Sequence, residues 1–167
     1  MSLKIVPSLF TLANLVFGIL SIIYTMSEQY VLSGVMIILC MIMDVLDGKI
    51  ARKLEVSSNF GKELDSLADV VSFGVAPAIL VYAQILVAYK WWGLVVIIWF
   101  IMAGALRLAR FNIQTTSGYF QGVPITAAGS LMALLNMIPD KISPIVFLLS
   151  TAVLGLLMIS KIRVPKI

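Results

Sequence analysis

Long apolar runs decide what this chain can become. Six stretches, 8–26, 31–52, 60–89, 91–111, 124–138 and 144–160, are dominated by apolar residues, and a helix needs about 20 of them to cross the hydrocarbon core of a bilayer. The fifth is short and is expected to draw on 120–123 to span. With 61% of its 167 residues hydrophobic and 12% charged, the chain holds more apolar surface than a water-soluble core of this size can hide. The pattern therefore predicts an all-α, polytopic membrane protein of six transmembrane helices. No Gly/Ser-rich or Pro-rich linker divides it, so 1–167 is expected to form a single domain. Pro7, Pro124 and Pro144 stand where runs begin and a missing N–H costs little, and Tyr89, Trp91 and Trp92 suit a membrane interface. Lys4 precedes the first run, but no A-x-A cleavage pattern follows, so that run reads as a retained helix.

Basic residues set the orientation, because loops on the cytoplasmic side carry the Lys/Arg excess. With the N-terminus inside, Lys4, Lys49, Arg52, Lys53, Lys62, Arg107, Arg110, Lys161, Arg163 and Lys166 are cytoplasmic, and only Lys90 and Lys141 are outside. Both termini are then cytoplasmic, as an even number of spans requires. The net charge of +4 follows this asymmetry and suits contact with anionic lipid headgroups. Basic residues scattered over several loops do not make a nucleic-acid surface. Cys40 is the sole cysteine and there is no histidine, which excludes an intramolecular disulfide, a CxxC metal site and histidine acid–base chemistry.

The acidic residues carry the chemistry. Glu28 and Asp140 fall in outer loops, and Glu55 and Glu63 lie in or beside the loop between the second and third runs. Asp44, Asp47, Asp65 and Asp69 instead lie within helical runs, where each costs about 2.5–3.5 kcal/mol at mid-membrane, so they need a compensating partner. Asp44 and Asp47 are spaced i,i+3 and Asp65 and Asp69 i,i+4, so each pair shares a helix face, with rises of about 4.5 and 6 Å. Two such helices offer four carboxylates to one small volume. Hard oxygen ligands suit Mg²⁺, Mn²⁺ or Ca²⁺, and four can hold two ions about 3.5–4 Å apart, the spacing of phosphoryl-transfer sites. Pairing of the aspartates with Lys49, Arg52, Lys53 and Lys62 is the purely structural alternative.

The residues between the carboxylates read Asp44-x2-Asp47-Gly48-x2-Ala51-Arg52-x8-Gly61-x3-Asp65-x3-Asp69, eight specified residues over 26 positions. This pattern resembles the signature of the CDP-alcohol phosphotransferase family. The resemblance implies a CDP-lipid substrate, two divalent metals at Asp44, Asp47, Asp65 and Asp69, a homodimer, and Asp69 as the general base. It also places a CDP site at Asp44, Asp47, Gly48, Ala51, Arg52, Gly61 and Asp65. Gly48 and Gly61 lack side chains and would let a flat base or ribose approach the helix, with close helix packing as the alternative. Arg52 can direct a fork of donors at a phosphate or a carboxylate. On the first run, Pro7, Thr11, Asn14, Gly18 and Ser21 recur in steps of four and three, and Ser72 and Ala76 follow Asp69 on the third. Such stripes serve packing, yet Thr11 and Asn14 lie near the inner end and are candidates for nucleotide contact.

Arg107-Leu108-Ala109-Arg110-Phe111-Asn112, 120–126, and the opening 7–14 resemble the phosphatidylserine synthase branch of that family, departing at Ser8, where Asn is the more frequent residue. This branch implies L-serine as the acceptor, with Arg107, Arg110 and Asn112 as its binding residues. Guanidinium forks at i,i+3 suit a serine carboxylate but would suit an inositol or glycerol phosphate as well, so charge alone does not choose the alcohol. A small cation transporter using the same carboxylates is the reading from another functional class.

Overall fold

The computed structural model describes residues 5–53, 58–113, 119–160 and 163–165. Lys4, Glu55, Lys161 and Lys166 lie outside the described residues. Two long helices open the chain, α1 (Ile5–Met26) and α2 (Tyr30–Lys53), joined by a tight turn in which Glu28 takes the left-handed conformation, φ 59°. They pack as an antiparallel pair. On α1 the apolar side chains Leu9, Leu12, Val16, Ile19 and Ile23 are exposed, while Thr11, Asn14, Ser21 and Thr25 are buried. This inverted amphipathicity is what a helix between lipid and a polar protein interior requires.

The third apolar run forms a rod over Asn59–Gln84 built of three pieces: α3 (Asn59–Asp69), a π-helical turn (Val70–Val75) and α4 (Ala76–Gln84). Ser58 caps its start, its hydroxyl accepting from the Gly61 N–H at 2.9 Å. At the turn the ladder slips, with the Ala76 N–H donating to Val71 O five residues back. The rod is the centre of the bundle: 56% of its most apolar window is buried, against 28% for α1 and for α2. A side chain at Gly18 would run into Ser72 of the π turn, so Gly18 lets α1 approach the rod there.

The run expected to continue to Tyr89 ends its α-helix at Gln84 and passes through a 3₁₀ turn (Leu86–Tyr89) into α5 (Trp91–Ile113). The remaining helices are α6 (Ile125–Asn136) and α7 (Pro144–Ile159), linked by a 3₁₀ turn at Pro139–Lys141. Buried Phe73, Leu80, Phe100, Ile125, Met132, Phe147 and Met158 belong to the one core that these helices share.

One expectation is met in part and one is corrected. Of the six expected spans, four are, among the described residues, helices long and apolar enough by themselves to cross a membrane: Ser8–Met26, Tyr30–Lys53, Asn59–Gln84 and Trp91–Ile113. The α6 and α7 helices are apolar but have 12 and 16 residues. Residues 120–123 do not lengthen the fifth helix. Tyr119–Gln121 (β1) instead pairs antiparallel with Arg163–Pro165 (β2), so the elements among the described residues are helical apart from one short ribbon. The reason is local: Gly122 takes φ +77° and Pro124, with no N–H to give, forms the cap at which α6 begins.

Candidate active site

The end of the bundle where α2 finishes and α3 starts gathers the aspartates. One carboxylate oxygen each from Asp44, Asp65 and Asp69 lies within 4.8 Å of the others. Asp44 and Asp65 are half-buried, and Asp69 is buried. Three like charges this close repel by about 1 kcal/mol per pair even in water, and by several times that at the effective dielectric near a protein surface. Hard anionic oxygens from two helices, converging on one point, are a donor set that fits a divalent cation. Asp47, the fourth predicted ligand, is buried just outside this group and its Oδ2 accepts a hydrogen bond from the Thr11 hydroxyl of α1.

Neighbouring side chains complete the site. Asn14 Nδ2 donates to Asp69 Oδ1 at 3.3 Å. The main-chain carbonyl of Asn14 accepts from Ser72 Oγ at 3.1 Å and from Cys40 Sγ at 3.3 Å, so α1, α2 and the π turn meet at this residue. Thr11 and Asn14, read as candidate nucleotide contacts, are thus both buried against carboxylates. Ser72 and Cys40 are not among the residues that the sequence points to as the site. Ser72 had a signal in the stripe following Asp69, whereas Cys40 had none.

Gly48 is exposed, and a Cβ placed on it would meet nothing within 4 Å among the described residues. Helix packing therefore does not require glycine there, and the surface beside Asp47 is open. Gly61 is constrained only by Ser58, whose hydroxyl would sit 3.1 Å from an added Cβ. The Arg52 Nε donates to Gly48 O at 3.1 Å, which lays the guanidinium along the same surface. Ala51, between them, is half-buried.

The three residues predicted for the alcohol part company. Arg107 is buried, its guanidinium 5.9 Å from the centre of the Phe111 ring and its Nε without a hydrogen-bond partner among the described residues. Its charge is felt at Asp69 across the seam of α3 and α5. Arg110 turns the other way and donates to the carbonyl of Ile159, the last residue of α7, at 3.2 Å. Asn112 reaches α3, where its Nδ2 lies 3.0 Å from Ser66 Oγ and 3.4 Å from each Glu63 carboxylate oxygen. Glu63 and Ser66 had no sequence signal for this contact. Along the seam of α3 and α5, then, Asn112 meets Glu63 and Ser66 nearer the surface, and Arg107 acts on Asp69 deeper in.

Comparison with known proteins agrees with this geometry. The profile of the CDP-alcohol phosphatidyltransferase family matches residues 4–163. A protein of Helicobacter pylori named CDP-diacylglycerol–serine O-phosphatidyltransferase is 39% identical, over 98% of this chain and 73% of its own length. One of the same name from Bacillus subtilis is 37% identical, over 96% of this chain and 89% of its own. The archaetidylserine synthase of Methanothermobacter thermautotrophicus is 35% identical, over 96% and 70%. The family depends on divalent metal, and the converging carboxylates of Asp44, Asp65 and Asp69 are suited to bind it. A match over almost the whole chain leads to one conclusion: this integral membrane protein belongs to the CDP-alcohol phosphatidyltransferase family.

Proposed function

We propose that the chain transfers the phosphatidyl group of CDP-diacylglycerol to the hydroxyl of L-serine, giving phosphatidylserine and CMP. The observation that carries this reading is the convergence of Asp44, Asp65 and Asp69, in a chain whose full-length relatives bear that enzyme's name. Asp44, Asp47, Asp65 and Asp69 would hold two divalent ions, Mn²⁺ or Mg²⁺, and bound there these would supply charge neutralisation for the diphosphate. The serine oxygen attacks the phosphorus that carries diacylglycerol, the bond to the CMP oxygen breaks, and the hydroxyl proton passes to Asp69. No histidine is present to serve as a base, and Asp69 is the most enclosed carboxylate of the cluster. The open surface at Gly48, with Arg52 lying along it, supports a place for the cytidine nucleotide that also includes Ala51, Gly61, Asp44 and Asp65. Arg107, buried beside Asp69 with Nε unpaired, supports capture of the serine carboxylate next to the reacting centre, with Asn112 above it on the same seam. Arg110 is spent on α7, and its part is to hold α5 in place.

In the membrane, all six apolar helices are read as spans, both termini and the site face the cytoplasm, and two chains pair as a homodimer. The basic residues support the orientation. Helices of 12 and 16 residues are about 18 and 24 Å long, shorter than the hydrocarbon core, and bilayer thinning and flanking residues make up the difference. Single cysteines at Ser58 and Ser117, in a Cys40-free background, should label from the cytoplasmic side, and labelling of either only from outside would refute that orientation. The reaction is tested by CMP release from purified protein offered serine, glycerol phosphate, inositol phosphate and inositol in turn. Release with serine alone is expected, and a preference for another alcohol would reassign the acceptor. Direct displacement further predicts no exchange of labelled CMP into CDP-diacylglycerol when serine is absent.

A further inference from the structure

Asn14 is fully buried in the middle of the bundle's polar end, yet only part of its side chain is used. Nδ2 donates to Asp69 Oδ1 at 3.3 Å, and Oδ1, equally buried, has no hydrogen-bond partner among the described residues. An orphaned buried acceptor costs about 1–3 kcal/mol, so packing alone would favour a leucine of similar size at this point. Turning the amide over would not help, because it would set Oδ1 against a carboxylate oxygen, acceptor against acceptor. The main chain of Asn14 is meanwhile fixed from two sides by Ser72 and Cys40, with Gly18 one turn on letting α1 press against Ser72. A donor is thus held at fixed depth against one oxygen of Asp69. Thr11, one turn earlier, stands in the same relation to Asp47.

We infer that Asn14 is a positioning residue for Asp69, not a contact of the nucleotide: by occupying Oδ1 of Asp69 it turns the carboxylate so that the cluster with Asp44 and Asp65 can grip a cation. Its complete burial supports this, since a nucleotide would have to part α1 from the rod to touch it. The inference rests on the metal-site reading above. Removing a hydrogen-bond partner that orients a metal-ligating group typically lowers metal affinity about 10- to 100-fold.

The test measures Mn²⁺ affinity of the purified full chain in detergent, from the loss of the free-Mn²⁺ magnetic-resonance signal and without lipid substrate. Asn14→Leu and Asn14→Ala are compared with the unaltered protein, each at a temperature where its metal-free form is fully folded by circular dichroism. Both variants should bind Mn²⁺ about 10- to 100-fold more weakly, while the metal-free melting temperature of Asn14→Leu stays level or rises because the orphaned oxygen is gone. Unchanged affinity in either folded variant overturns the inference and leaves the metal site standing. A parallel fall of melting temperature and affinity in both variants assigns Asn14 to packing and overturns it too. Absence of Mn²⁺ binding by the unaltered protein overturns the metal reading itself.

Discussion

Two groups of buried polar side chains lie along α1, at opposite ends of its pairing with α2. Toward the α1–α2 turn, Ser21, Thr25 and Ser33 close on one another: Ser21 Oγ and Ser33 Oγ are 2.8 Å apart, Thr25 Oγ1 and Ser33 Oγ 2.7 Å, and Thr25 also donates to Ser21 O at 2.9 Å. Every hydroxyl has a partner within the group and nothing in it is charged, as expected of hydrogen-bonding that joins two helices in lipid. At the other end, Asp44, Asp65 and Asp69 face each other with like charges, and Asn14 Oδ1 and Arg107 Nε are buried unpartnered. The first group is satisfied within itself, whereas the second carries an excess of one charge and, among the described residues, two unpartnered buried polar atoms, which is what the proposed ligands would meet. Burial of polar groups alone does not mark a site, then; what marks it is an excess of one charge together with hydrogen-bonding capacity left open.

The sharpest way to break this contrast is to alter one residue at each end. Asp69→Asn should lower turnover by about 10²- to 10⁴-fold, the usual contribution of a general base, while CDP-diacylglycerol binding measured at saturating Mn²⁺ persists. Turnover within a few fold of normal would remove Asp69 from the reaction. Arg107→Ala is the next largest: loss of a hydrogen bond to a charged group, about 1.5–3 kcal/mol, should raise the KM for serine by roughly 10- to 100-fold and leave that for CDP-diacylglycerol nearly unchanged. Arg110→Ala, whose guanidinium is engaged with Ile159, should move serine KM far less, and equal effects of the two would erase the distinction drawn between them. Smallest is Ser33→Ala at the self-contained end, expected to cost about 0.6 kcal/mol of stability in a denaturation titration and to leave kcat and both KM values in place. A loss of activity there, without unfolding, would show that the two ends are not independent.

The contrast also explains what could be read from the chain alone. The long runs and the aspartate spacings are written in neighbouring residues, and α1, α2, the Asn59–Gln84 rod and α5 follow from them. The π turn was hidden because Val70–Val75 is apolar with small residues and fits an uninterrupted helix equally well. Likewise the ribbon of 119–121 with 163–165 depends on a partner more than forty residues away, although Gly122 and Pro124 did mark a break. In the site, i,i+3 and i,i+4 spacing brought Asp44, Asp65 and Asp69 to one volume, but which of the four carboxylates is held by Thr11 and which by Asn14 depends on how α1 docks. Arg107, Arg110 and Asn112 are close in sequence, yet a turn of about 100° per residue leaves Arg107 buried near the Phe111 ring and aims Arg110 at α7 and Asn112 at α3.

Whether the cluster of Asp44, Asp65 and Asp69 works with metal as a serine phosphatidyltransferase is tested most directly by CMP release. Purified protein given CDP-diacylglycerol and L-serine should release CMP, fall to background when a chelator is added or serine is withheld, and recover on return of Mn²⁺ or Mg²⁺. Sustained release at the full rate in chelator, or release that does not depend on serine, would contradict the account.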